Sequence, residues 1–195
     1  MTKIKICGLR TPEHIQWANQ LRPDYIGFVF APSRRRVTHA EAAQLKHMLD
    51  DRILAVGVFV DARQTDILEL AHKQVIDLIQ LHGNESTAYI NTLRTYTDLP
   101  IIKALRSPLS PTLESPADYL LLDGKLPGTG QLADWSAAQH CKQPFFLAGG
   151  LHAGNLETAI LSCSPFGVDL SSGVEIAGQK DRNLMAQVIE IAHRM

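Results

Sequence analysis

The chain has 195 residues, 45% hydrophobic and 20% charged, with a formal net charge of −1. That length suits one domain with a sizeable core, spanning residues 1–195, and the charge balance gives no electrostatic footprint for nucleic acid or an anionic membrane. No apolar run approaches the roughly 18 residues of a membrane span, and Cys7, Cys141 and Cys163 are spaced neither as zinc ligands nor as a redox pair.

The N-terminus, MTKIKICGLR, lacks the apolar stretch of a signal peptide. Sparse, unpaired cysteines suit a reducing compartment. A cytoplasmic protein is therefore expected.

In chain order, a first short apolar run at 4–7 reads as a strand. Thr11-Pro12-Glu13 then offers a helix cap with proline at the first helical position. A strand follows at 25–30 and a helix at 38–49. The alternation continues with a strand at 54–60, a helix at 65–72, a strand at 78–81 and a helix at 86–96. The fifth strand covers 101–105. After it, Pro108, Pro111 and Pro116 leave a helix stunted or absent. The sixth strand is 119–122, and Gly128 and Gly130 in the next loop suggest a lid over 125–134. The seventh strand is 145–148, with a helix at 155–161. The eighth is 168–170, with a closing helix at 183–192.

Each strand run is too short for a helix and nearly continuous in apolar residues. Such runs fit parallel strands covered on both faces. Eight β and α units with right-handed crossovers wind into a closed (β/α)₈ barrel. An open doubly wound sheet usually needs only five or six strands.

In a (β/α)₈ barrel, chemistry gathers where strands end. Here the ends carry Cys7-Gly8, Asp61, His82-Gly83, Asp123-Gly124, Gly149-Gly150 and Ser171-Ser172-Gly173. The second strand leads to Arg34-Arg35-Arg36, and Lys103 lies inside the fifth. Gly149, Gly150, Ser172 and Gly173 follow strands seven and eight, whose loops often bind phosphate; plain turn chemistry would use the same residues. Cys7 is either an inert buried hydrophobe or a thiolate base or nucleophile. Asp123 reads as a general acid or as a turn cap. His82 and Arg36 line the site or merely solvate its rim. A guanidinium such as that of Arg36 suits a carboxylate. Asp61 reads as a cap for the helix that follows.

Taken together, these segments resemble the phosphoribosylanthranilate isomerases of tryptophan biosynthesis nearly end to end. The residues carrying the resemblance are Lys5-Ile-Cys-Gly8, Gly27-Phe-Val-Phe30 with Pro32 and Arg36, Val56-Gly-Val-Phe-Val60, Gln80-Leu-His-Gly83, Leu121-Leu-Asp123, Gly128-Thr-Gly130 with Asp134-Trp135, Ala148-Gly-Gly-Leu151 with Asn155, and Asp169-Leu-Ser-Ser-Gly-Val-Glu175 with Gly178 and Lys180-Asp181. The resemblance implies a (β/α)₈ barrel and an Amadori rearrangement of N-(5-phosphoribosyl)anthranilate to 1-(2-carboxyphenylamino)-1-deoxyribulose 5-phosphate. It implies Cys7 as general base and Asp123 as general acid. Arg36 would hold the anthranilate carboxylate, and His82 and Asp169 would line the pocket. Gly149, Gly150, Ser172 and Gly173 would bind phosphate. It implies no metal, no cofactor and a monomer. Three positions depart from the family pattern, namely Pro127, Ala133 and Ala153, and none is a proposed catalytic group.

Two other readings share the barrel. One is a different sugar-phosphate isomerase or epimerase, since fold alone does not fix substrate. The other is a non-catalytic barrel that binds a phosphorylated ligand.

Overall fold

A computed structural model describes residues 1–106, 115–123, 138 and 141–195. Eight parallel strands close into a barrel in sequence order, β1 pairing with both β2 and β8. The strands are β1 (Lys3–Cys7), β2 (Tyr25–Val29), β3 (Leu54–Phe59), β4 (Leu78–Leu81), β5 (Ile101–Arg106), β6 (Tyr119–Asp123), β7 (Phe145–Ala148) and β8 (Gly167–Leu170). The described helices are α1 (Pro12–Leu21), α2 (His39–His47), α3 (Gln64–His72), α4 (Thr87–Arg94), α5 (Leu156–Cys163) after β7, and α6 (Arg182–Arg194) after β8. The expectations of a stunted helix after β5 and a lid at 125–134, with Pro127, Gly128, Gly130 and Ala133, lie outside the described residues.

The helices begin where side chains satisfy their first free N–H groups. Thr11 accepts from the His14 N–H at 3.2 Å ahead of Pro12. Thr38 and Glu41 form a reciprocal capping box on α2. Ser86 caps α4, and Asp181 accepts from both Asn183 and Leu184 to start α6. The cap expected of Asp61 is different. Arg63 precedes α3 and gives no side-chain cap bond. Asp61 sits in the left-handed region, φ 48°, which turns its carboxylate toward the β4–α4 loop, where it accepts from the Asn84 N–H at 2.7 Å.

Strand alternation sorts the core into two layers. Ile4 and Ile6 face outward and are fully buried in the layer between strands and helices. Lys5 and Cys7 face inward. Registered neighbours share a face, so Tyr25, across from Lys5, and Val56, across from Gly27, face inward as well. With Leu78, Ile102, Leu121 and Phe146 they form a separate apolar cluster filling the lower barrel. Tyr25 and Phe146 meet edge to face at 5.5 Å. Toward the C-terminal strand ends the polar Cys7, Gln80, Asp123 and Asp169, with His82 just beyond β4, join Val58 and Ala148 on the inward face. That split places the chemistry at the C-terminal mouth.

Beyond β8 the chain makes a 3₁₀ turn at Ser172–Val174 and a small antiparallel hairpin, β9 (Glu175–Ile176) and β10 (Gln179–Lys180). The sequence reading held no such hairpin. It folds over the β1–β2 side of the mouth.

Candidate active site

A cavity of about 270 Å³ opens at the mouth. Cys7, Gln80, His82, Asp123 and Asp169 line it from the strands, and Gly149, Gly150, Ser172 and Gly173 line it from the loops after β7 and β8. The barrel therefore brings eight of the nine expected site residues to one place. The ninth, Arg36, is exposed and does not line the cavity, whereas its neighbour Arg35 does. The Arg36 backbone bridges to Val29, itself a wall residue, so Arg36 stands at the rim.

Cys7 ends β1 and is 9% exposed. Burial pushes its thiol upward, and Asp169 adds to that. The ammonium groups of Lys5 and Lys180 pull it down, but burial prevails and the thiol stays above its ordinary value. Lys5 is fully buried, and its Nζ lies 2.9 Å from Asp169 Oδ1. Burial alone would lower the lysine, but Asp169 and Cys7 outweigh it and raise it. Gly27 makes the space: a Cβ there would sit 2.8 Å from Cys7 Sγ.

Asp123 ends β6 and His82 follows β4, each with a side chain 23% exposed. His82 Nε2 lies 3.8 Å from Asp123 Oδ2. On the other side of the ring, Nδ1 lies 3.0 Å from Gln80 Nε2. If that amide donates, the ring carries its proton on Nε2, facing Asp123. Gln80 is 1% exposed, and its Oε1 finds no partner among the described residues.

The glycine loops are shaped for close backbone approach. Gly149 and Gly150 take φ 93° and 68°, where L side chains are strained. Asn155 fixes this loop, donating to the Gly150 carbonyl at 3.1 Å and accepting from the His152 N–H at 2.8 Å. Gly173 packs so tightly on the Leu151 carbonyl that any Cβ would collide with it. Exposed backbone N–H groups in such loops suit an anion.

One carboxylate ties the mouth together. Glu175, 3% exposed at the side chain, accepts from Arg35 Nε at 2.6 Å and Nη2 at 2.7 Å, and from Lys180 at 2.7 Å. Burial opposes its ionisation, but these cations win and hold it at about 2. Lys180 also donates to the Ser171 carbonyl at 2.8 Å, and Ser171 Oγ donates to the Cys7 carbonyl at 3.2 Å. The network runs from Cys7 to the loop after β8. Lys103, by contrast, faces outward and pairs with Glu85 at 2.6 Å, away from the cavity.

Sequence reasoning missed Lys5, Gln80, Arg35, Glu175 and Lys180 as site residues. For Lys5 and Gln80 a signal existed: each lies two residues before a strand-end candidate and so shares its inward face.

Comparison with known proteins gives a consistent answer. The family model for N-(5′-phosphoribosyl)anthranilate (PRA) isomerase matches residues 4–191. The N-(5′-phosphoribosyl)anthranilate isomerase of Lactiplantibacillus plantarum is 45% identical over 197 residues, covering 100% of this chain and 93% of that one. The crystal structure of phosphoribosyl anthranilate isomerase from Thermus thermophilus superposes with a TM-score of 0.87 at 33% identity, covering 99% of both chains. A further isomerase of this kind, solved in complex with reduced 1-(o-carboxyphenylamino)-1-deoxyribulose 5-phosphate, superposes with a TM-score of 0.83 at 27% identity over the whole of both chains. The match runs from the first strand into the last helix on a barrel of the same topology, and the chain belongs to the N-(5′-phosphoribosyl)anthranilate isomerase family.

Proposed function

We propose that the mouth of this barrel rearranges N-(5′-phosphoribosyl)anthranilate to 1-(2-carboxyphenylamino)-1-deoxyribulose 5-phosphate in tryptophan biosynthesis, with Asp123 as general acid and Cys7 as general base. The observation that carries the assignment is that these two groups face one cavity whose rim bears the β7 and β8 glycine loops. The ligand held by the solved relative has the same parts as this product: a carboxyphenylamino group, an open sugar chain and a phosphate.

Asp123 gives its proton to the ring oxygen. The C1′–O bond breaks toward that oxygen, and the nitrogen lone pair forms a C=N bond, giving an open-chain iminium. The Cys7 thiolate then takes the proton from C2′ and becomes a neutral thiol. The C–H pair forms C1′=C2′ while the C=N pair returns to nitrogen. The enolamine tautomerises to the ketone. All steps are proton transfers between positioned groups, so neither metal nor redox cofactor is needed.

Gly149, Gly150, Ser172 and Gly173 bind the phosphate, and Arg36 swings from the rim to the anthranilate carboxylate. Asp169 and His82 complete the wall. The expected monomer is kept as part of this reading, with Cys7, Asp123 and both glycine loops lining one cavity of a single barrel. No described helix is long and apolar enough to cross a membrane, in keeping with an enzyme of the cytoplasm.

The test is loss of substrate fluorescence, with substrate generated from anthranilate and phosphoribosyl pyrophosphate. Turnover by wild type should fall by about three orders of magnitude or more in Cys7→Ala and in Asp123→Asn, since each step loses its proton carrier. Turnover that survives either change removes that residue from the mechanism. Inactive, folded wild type would redirect the search to other sugar phosphates.

A further inference from the structure

Lys5 is a costly residue to place where it is. Its ammonium is fully buried, and burying an ion carries a penalty of several kcal/mol unless it is paired. The lower interior of the barrel is filled by Tyr25, Leu78, Ile102 and Phe146 with no such cost. Lys5 pairs in the ladder with Tyr25 of that cluster, two residues before Cys7 on the same inward face of β1. Its ammonium donates to Asp169, its registered neighbour on β8. A Cβ on Gly27 would touch both Cys7 Sγ, at 2.8 Å, and Lys5 Nζ, at 3.2 Å, so cation and sulfur border one methyl-sized gap.

We propose that Lys5 is a positioning residue for the reaction: held by Asp169 beneath the sulfur, its ammonium stabilises the Cys7 thiolate that removes the C2′ proton. This rests on the reading of Cys7 as base. A thiolate in a dry barrel needs a nearby cation to form at neutral pH, and among the charged groups around Cys7 the lysine exerts the strongest downward pull on the thiol. The other groups facing the sulfur are Asp169 on β8, Lys180 on β10 and Arg35 after β2, with His82 and Asp123 across the cavity. Gly27 brings no charge from β2. Asp169 plays two parts with opposite signs. It orients the ammonium, yet its own negative charge works against a second anion beside it. Lys5 is therefore shared between two anions, and the balance sets how readily the thiol ionises.

The shared cation gives the test its discriminating power. Alkylation of Cys7 by iodoacetamide is followed against pH in substrate-free protein, read on the Cys7 peptide by mass spectrometry so that Cys141 and Cys163 do not contribute. The variants are Lys5→Met, Asp169→Asn and the double variant. Lys5→Met should move the thiol to higher pH, and each unit of that move slows alkylation at neutral pH about tenfold. Asp169→Asn should move it to lower pH and speed alkylation. Mere loosening of the barrel would expose the thiol and shift both variants the same way. If Lys5→Met leaves Asp169 unpaired and fails to fold, Asp169→Asn is compared with the charge-neutral double variant, and removing Lys5 there must raise the thiol again. In folded Lys5→Met, the acidic limb of kcat/KM against pH should follow the thiol upward. Identical alkylation profiles for Asp169→Asn and the double variant would overturn the proposal while leaving Cys7 as base untouched. Full turnover by Cys7→Ala would instead overturn the reading on which it rests.

Discussion

Gly27 leaves open the space that Cys7 occupies: paired across the β1–β2 ladder, a Cβ on Gly27 would lie 2.8 Å from the sulfur and 3.1 Å from Cys7 Cα. A methyl group there has nowhere to go but against Cys7, the proposed base. Gly27→Ala should therefore fold yet push the thiol aside, and a displacement of about 1 Å at a reacting group costs up to about 10²-fold in rate. Steady-state kinetics should show the loss in kcat, with near-wild-type KM because the loops proposed to bind phosphate follow β7 and β8, away from Gly27. A variant with unchanged kcat would mean that the strands absorb the methyl group without moving the sulfur.

The loops after β7 and β8, proposed to bind phosphate, allow two glycines to be told apart. Gly173 is packed on the Leu151 carbonyl, so Gly173→Ala must separate the loops after β7 and β8. Gly150 has open space around its missing Cβ and only a left-handed backbone, φ 68°, to hold. Gly150→Ala thus costs about 1–2 kcal/mol of backbone strain with no collision. Inhibition by inorganic phosphate, measured against substrate, reads the difference. Gly173→Ala should weaken phosphate by about tenfold or more, about 1.4 kcal/mol or beyond, and Gly150→Ala by much less. Equal inhibition in both variants would place the phosphate elsewhere.

Glu175 predicts part of the acid stability of the protein. Its folded value of about 2 lies below the ordinary 4.5, so its contribution is complete above pH 4.5 and is lost as pH falls toward 2. The shift corresponds to about 3 kcal/mol. Glu175→Gln should lower stability to urea at pH 7 by an amount of that order and narrow the gap to wild type at pH 3. A gap of constant size across that range would show that the carboxylate charge is not what matters. His14 acts higher on the same limb. Burial, with Lys180 and Arg10 nearby, holds it at about 4 against an ordinary 6.5, so the fold loses its contribution as pH falls between those values.

The strand ends were legible because buried parallel strands are short apolar runs, and a polar residue closing such a run stands out. Cys7, His82 and Asp123 were found that way, whereas Asp169, inside its run, came only from the family resemblance. Lys5 and Gln80 were not found, because runs read as nearly continuous conceal their inward and outward parity. In the run Arg34-Arg35-Arg36 the phase of a turn decides which side chain meets the cavity, and the sequence carries no marker of that phase. The β9–β10 hairpin has two residues per strand and turns through Ala177 and Gly178, at φ 49° and 79°. Nothing so short has a periodicity to read, so the cations gathered on Glu175 became visible only in three dimensions.

Lys103 offers the counterpart to Lys5. Both are buried lysines inside strand runs, but the register gives them opposite faces. Lys103 Nζ pairs with Glu85 at 2.6 Å and the Gly83 carbonyl at 2.7 Å, and Glu85 in turn accepts from the Asp61 and Gly83 N–H groups. This cluster clamps the loops after β3 and β4 from outside the barrel and does not line the cavity. Lys103→Met leaves Glu85 buried without its cation, which costs about 3–5 kcal/mol. Thermal unfolding should show that loss. At a temperature where the variant remains folded, kcat should stay within about threefold of wild type, since no group at the reacting atoms has changed. The pH profile of kcat/KM should also keep its acidic limb, in contrast to Lys5→Met. A shifted limb in Lys103→Met would show that a buried lysine anywhere in these strands tunes the base, and would remove the distinction drawn here between the two faces of the barrel wall.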